Sequence, residues 1–199
     1  MSRRLSREEA WNLLTEWVQS PSLRRHCLAV EAAVLAYADK NGLDSDEREL
    51  WGVTALLHDA DYERFPDMDD TENGHPRSIM RHLESLDAPP EMVRAIGSHA
   101  DYLGVSRDSD LEKTLAACDE VAGFLVACAA VRPQGIHGLT PKSVKKKLKQ
   151  PSFAAAVSRD EIAHNVEALG VDLDEHIRTI VPALEARADE LDLNGSEAA

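Results

Sequence analysis

Six side chains in this sequence have the types and setting to bind a metal ion. His26 lies in RRHCLAVEAAV, His58 and Asp59 end the apolar run ALLHD, and His75 sits in NGHPRSI. His99 closes AIGSHA, and Asp119 interrupts LAACDEVAGF. Imidazole and carboxylate together suit borderline and hard divalent ions, and helical bundles build such sites from inward-pointing side chains on several helices. Each position alone has a plainer reading, as a surface group or a hydrogen-bonded core group. Asp119 is the hardest to read that way, because its apolar neighbours leave it costly without a partner. A buried arginine could supply that partner instead. His82, His137, His164 and His176 have no matching partners in the ordered set and read as surface or core histidines.

These residues need helices to position them, and the pattern is helical almost throughout. Ser6 with Glu9 predicts a capping box ahead of AWNLLTEWV, and Pro21-Ser22 opens a long helix that Gly42 closes. A third helix starts near Asp44 and ends at HD. The acidic segment FPDMDDTENG is a loop, after which PRSIMRHLESL and PPEMVRAIGSHA are helices. LEKTLAACDEVAGFLVACAAV reads as a central buried helix. Ser158 with Glu161 predicts a second capping box, and LDEHIRTIVPALEARADELD closes the chain. The expected fold is an all-α bundle in a single domain over residues 1–190. Its site-bearing core covers about 20–130, with a helical extension over 140–190 and a disordered tail from 191 to 199.

The ordered set His26, His58-Asp59 and Asp119 resembles the HD-domain superfamily of metal-dependent phosphohydrolases, in particular small stand-alone bacterial HD proteins. The resemblance implies that these four residues hold a divalent ion (Mn, Fe, Ni, Co, Zn or Mg). It also implies that His75 and His99 hold a second ion in a binuclear site, with Asp59 as the bridging ligand. An ion of this kind gives a usable hydroxide at neutral pH, so water is the expected nucleophile. The implied activity is hydrolysis of a small phosphorylated metabolite, a phosphomonoester or nucleotide. Two other readings stay open: a di-iron oxygenase of the same superfamily, or a non-catalytic nucleotide-binding module.

The sequence departs from the common HDIGK form, because Ala60, Asp61 and Tyr62 follow the pair. The phosphate-assisting lysine is therefore missing, and Arg25 or Arg64 is the candidate replacement. Asp61 and Asp101 are candidates for general acid or base, against the alternative that both are solvated loop carboxylates.

The net charge of −14, with 36 acidic and 22 basic residues, argues against a broad nucleic-acid surface. Five of those basic residues fall within Lys142–Lys149, either as a solvated helix face or as a lip that draws phosphate toward the metal. No long uncharged apolar run suggests a membrane span, and no leader is visible, so the expected location is the cytoplasm. Cys27, Cys118 and Cys128 show no C-x-x-C spacing and read as buried thiols. The expected partner is a small phosphorylated substrate, with neither nucleic acid nor membrane, and a homodimer is compatible with the chain.

Overall fold

Local signals set most of the helix ends. In the computed structural model, which describes residues 2–196, Ser6 and Glu9 form the expected capping box at the start of α1 (Arg7–Trp17). Ser20 caps α2 (Pro21–Lys40), where proline fills the first helical position. Asp44 caps α3 (Ser45–Leu57) by accepting the Asp46 and Glu47 amides. The short helices α4 (Arg77–Ser85) and α5 (Pro90–His99) follow the long acidic loop, and a single 3-10 turn covers Asp101–Leu103. Then come α6 (Asp110–Ala130), α7 (Pro141–Leu148), α8 (Arg159–Leu169) and α9 (Leu173–Ala186). The described residues contain nine α-helices and no strand.

The helix α2 is the axis of the bundle. Every residue from Cys27 to Val34 is buried, and the helix packs against α3, α6 and α9. Cys27, Ala29, Ala33, Cys118 and Ala122 are at or near zero exposure, small side chains that let the two longest helices lie close. Glu31 is buried in the same stretch, where it accepts hydrogen bonds from Arg7 Nε at 2.6 Å and Arg187 Nη1 at 2.8 Å. All three cysteines are buried and free. No helix among the described residues is long and apolar enough to cross a membrane.

Two local expectations need correction. Ser158 caps α8, but Glu161 does not complete the box. The Ser158 amide instead donates to Glu120 Oε2 of α6 at 3.0 Å, so a tertiary partner displaced the local one. Residues 191–196 are not a loose tail. Leu191 and Leu193 are buried, and the Leu193 carbonyl accepts the Ile136 amide at 2.8 Å, because these two leucines complete the apolar layer against the α6–α7 connection. The rest of the predicted tail, 197–199, lies outside the described residues.

His176 is a satisfied core histidine. Its Nε2–H donates to the Ala117 carbonyl at 2.9 Å, and Nδ1 accepts from the Tyr37 hydroxyl at 2.6 Å. Burial lowers its pKa from 6.5 to about 4. Below pH 6.5 the unfolded chain takes up this proton while the folded chain does not, so the contribution is full above 6.5 and is lost as pH falls toward 4. Urea unfolding should show a loss of about 2 kcal/mol by about pH 5 that disappears in His176→Gln. Parallel pH curves for the two proteins would contradict this.

Candidate metal centre

The six residues converge although they come from five segments. His26 lies in the second turn of α2, His58 and Asp59 follow the last turn of α3, and His75 ends the loop before α4. His99 is the last residue of α5, and Asp119 is midway along α6. Gly74 delivers His75: a Cβ at that position would fall 1.8 Å from the Asp67 carbonyl oxygen, so only glycine lets the loop fold back this far.

Asp59 is at the centre. Its Oδ2 faces His26 Nε2 at 3.5 Å and His58 Nε2 at 3.6 Å. Its Oδ1 faces His75 Nε2 at 3.3 Å and His99 Nε2 at 3.5 Å. Asp119 Oδ1 closes the first half, 3.0 Å from His26 Nε2 and 3.4 Å from His58 Nε2. Of three groups of donor atoms that each lie within 4.8 Å mutually, two share the Asp59 carboxylate (His26, His58 and Asp59, and Asp59, His75 and His99), while the third, His58, His99 and Asp119, spans both halves.

The hydrogen bonds behind the rings point the same way. His58 Nδ1 meets the Ala55 carbonyl at 2.7 Å, and His99 Nδ1 meets the Ile96 carbonyl at 2.5 Å. A carbonyl only accepts, so in both rings Nδ1 carries the proton and the neutral form turns a lone pair on Nε2 toward Asp59. His58 Nε2 is fully buried without a hydrogen-bond partner, which is costly for a core histidine and suits a ligand. Burial alone would lower the His58 pKa, yet the Asp59 and Asp119 charges outweigh it and push it up to about 9. The same imidazoles hold both carboxyls well below the usual range despite their burial. These residues fit one or two divalent ions.

A family model described as HD domain matches residues 23–123, which include all six clustered side chains. The chain belongs to the HD domain family. No curated protein and no solved structure matches it.

The other expected site residues of this HD protein fall elsewhere. Asp61 is neither solvated nor placed to exchange a proton with substrate, because it is fully buried behind His75. Its Oδ1 accepts from His75 Nδ1 at 2.7 Å and its Oδ2 accepts the Ile79 amide at 2.9 Å. It is a positioning residue that fixes the His75 ring. Asp61→Asn places an amide NH2 against one of those donors. Affinity for the ion on the His75 side should fall about 10–100-fold in a metal titration while helicity stays unchanged. Undiminished affinity would rule out this role.

Arg25 is adjacent to His26 in sequence but points away from it around the helix, toward Asp192 at 3.4 Å. Arg64 donates to the Glu16 carbonyl and lies over the Trp17 ring. Neither reaches the centre. Asp101 lines the cavity, although Arg107 holds its carboxylate.

The cavity over the cluster measures about 450 Å³. Tyr62, Met68 and Tyr102 form its partly exposed rim, and Asp101, Glu120 and Glu161 supply carboxylates to its walls. Tyr62 packs edge-on against the His75 ring, and the Tyr102 hydroxyl donates to the His75 carbonyl. Sequence reading missed Glu120, whose carboxyl is pushed up to about 7 by burial and then by Asp119. The available signal was a second acid beside Asp119 in an apolar helix. Among the described residues that line it there is no lysine or arginine.

Proposed function

We propose that this HD protein is a metal-dependent hydrolase of a small phosphorylated metabolite, with two divalent ions at the cluster. One observation carries the proposal: the two oxygens of Asp59 are divided between two histidine pairs, with a buried His58 Nε2 that makes no hydrogen bond among the described residues facing them. Divalent ions bound there supply Lewis acidity toward a phosphoryl oxygen and lower the pKa of water toward about 7.

The chain's own residues hold the ligand rings rigid, through Ala55, Ile96 and Asp61, and bury the centre beneath Tyr62 and Tyr102. Among the described residues no cationic side chain lines the cavity, so balancing phosphate charge falls mainly to the ions. Glu161, and Glu120 where it is ionised, add negative charge to the walls, which favours a phosphomonoester, including a nucleoside monophosphate, over a di- or triphosphate.

Turnover should appear on a monophosphate panel with Mn²⁺, Co²⁺, Ni²⁺ or Mg²⁺ and disappear on chelation. No turnover on any phosphate ester with any of these ions would overturn the proposal. The bridging layout also favours a second reading, di-iron oxygenation, which predicts iron retained on aerobic purification and a mixed-valent EPR signal.

A further inference from the structure

The lysine run is not a lip of the metal centre. Lys142, Lys145, Lys146 and Lys149 are spaced i, i+3, i+4 and i+7, which places them on one stripe of α7 and its C-cap. That stripe lines an open cavity of about 600 Å³ together with Thr140, Pro141 and, from α9, Asp174 and Arg178. The cavity shares no lining residue with the metal centre.

Charge in this cavity is strongly unbalanced. Asp174 is its one carboxylate, 2.7 Å from Lys145 Nζ and 3.9 Å from Arg178 Nη2. Lys142, Lys146 and Lys149 form no ion pair among the described residues, which leaves an excess of four positive charges in a chain of net charge −14. Lys147 faces elsewhere and lies over the Phe153 ring at 4.5 Å, while Val144 on the remaining face is buried.

We propose that Lys142, Lys145, Lys146, Lys149 and Arg178 form a binding site for a small polyphosphate anion, separate from the metal centre. A triphosphate carries about four negative charges, matching the excess, and its length suits a stripe of cations better than a single phosphate does. The concave shape and the acidity of the remaining surface favour a small ligand over a nucleic acid.

The test is calorimetric titration of the 199-residue chain with inorganic triphosphate and, separately, with a single-stranded oligonucleotide at low salt, alongside Asp59→Ala and the triple variant Lys142→Gln/Lys146→Gln/Lys149→Gln. Wild type and Asp59→Ala should bind saturably, and the triple variant should bind about tenfold more weakly or worse. The three lysines are exposed, so the variant should keep its helicity. Any of four results would overturn the proposal: no saturable binding by wild type, unchanged affinity in the triple variant, loss of binding in Asp59→Ala, or tighter binding of an oligonucleotide than of triphosphate.

Discussion

If the proposed two-ion phosphohydrolase reading holds, Asp59→Ala should strip both ions from the centre and lower phosphatase turnover by about a thousandfold or more, equivalent to roughly 4 kcal/mol of transition-state stabilisation. The size follows from geometry. Asp59 is the one side chain within 3.6 Å of all four imidazoles, so its loss removes a ligand from each half of the cluster at once. Asp59→Asn separates bridging from bulk. The amide keeps the shape but offers one oxygen, so it should retain one ion per chain by metal analysis, with turnover between wild type and Asp59→Ala. Two ions retained in Asp59→Asn, with full turnover, would show that the carboxylate does not bridge.

Glu31→Ala should give the largest loss of stability, about 3 kcal/mol in chemical denaturation, with the ligand set untouched. Glu31 is 1% exposed and takes hydrogen bonds from Arg7 ahead of α2 in sequence and from Arg187 at the end of α9. Removing it leaves two guanidiniums facing a buried void. The estimate stays at the lower edge for a broken buried pair because Arg187 keeps Glu190 at 2.7 Å and Arg7 is half exposed. A loss below about 1 kcal/mol would place this pair with ordinary surface ion pairs.

The helices were legible because their signals are local. Ser6, Asp44 and the prolines at the starts of α2 and α5 act within a few residues of their own position. The six clustered residues were legible through their order along the chain and the family resemblance that order carries, while apolar neighbours marked His58, Asp59 and Asp119 as groups in need of a partner. Roles that depend on distant partners were not legible. Asp61 looked like a loop carboxylate because His75 and the Ile79 amide are 14 and 18 residues away. Arg25 looked like a phosphate ligand because sequence adjacency hides the turn of about 100° between neighbours on a helix. Glu31 and Glu120 carried the same cue as Asp119, an acid among apolar neighbours, and were passed over.

The scatter of the cluster along the chain also ties measured stability to composition of the medium. Its six side chains come from five segments between residues 26 and 119, and only His58 and Asp59 are neighbours before folding. An ion that needs three or four of them binds the folded chain and not the unfolded one. At a free concentration a hundredfold above its Kd, such an ion adds about 2.7 kcal/mol by mass action. Two preparations of the same polypeptide, one grown in trace-metal-rich broth and one dialysed against chelator, should therefore melt at different temperatures and converge once the free ion is buffered.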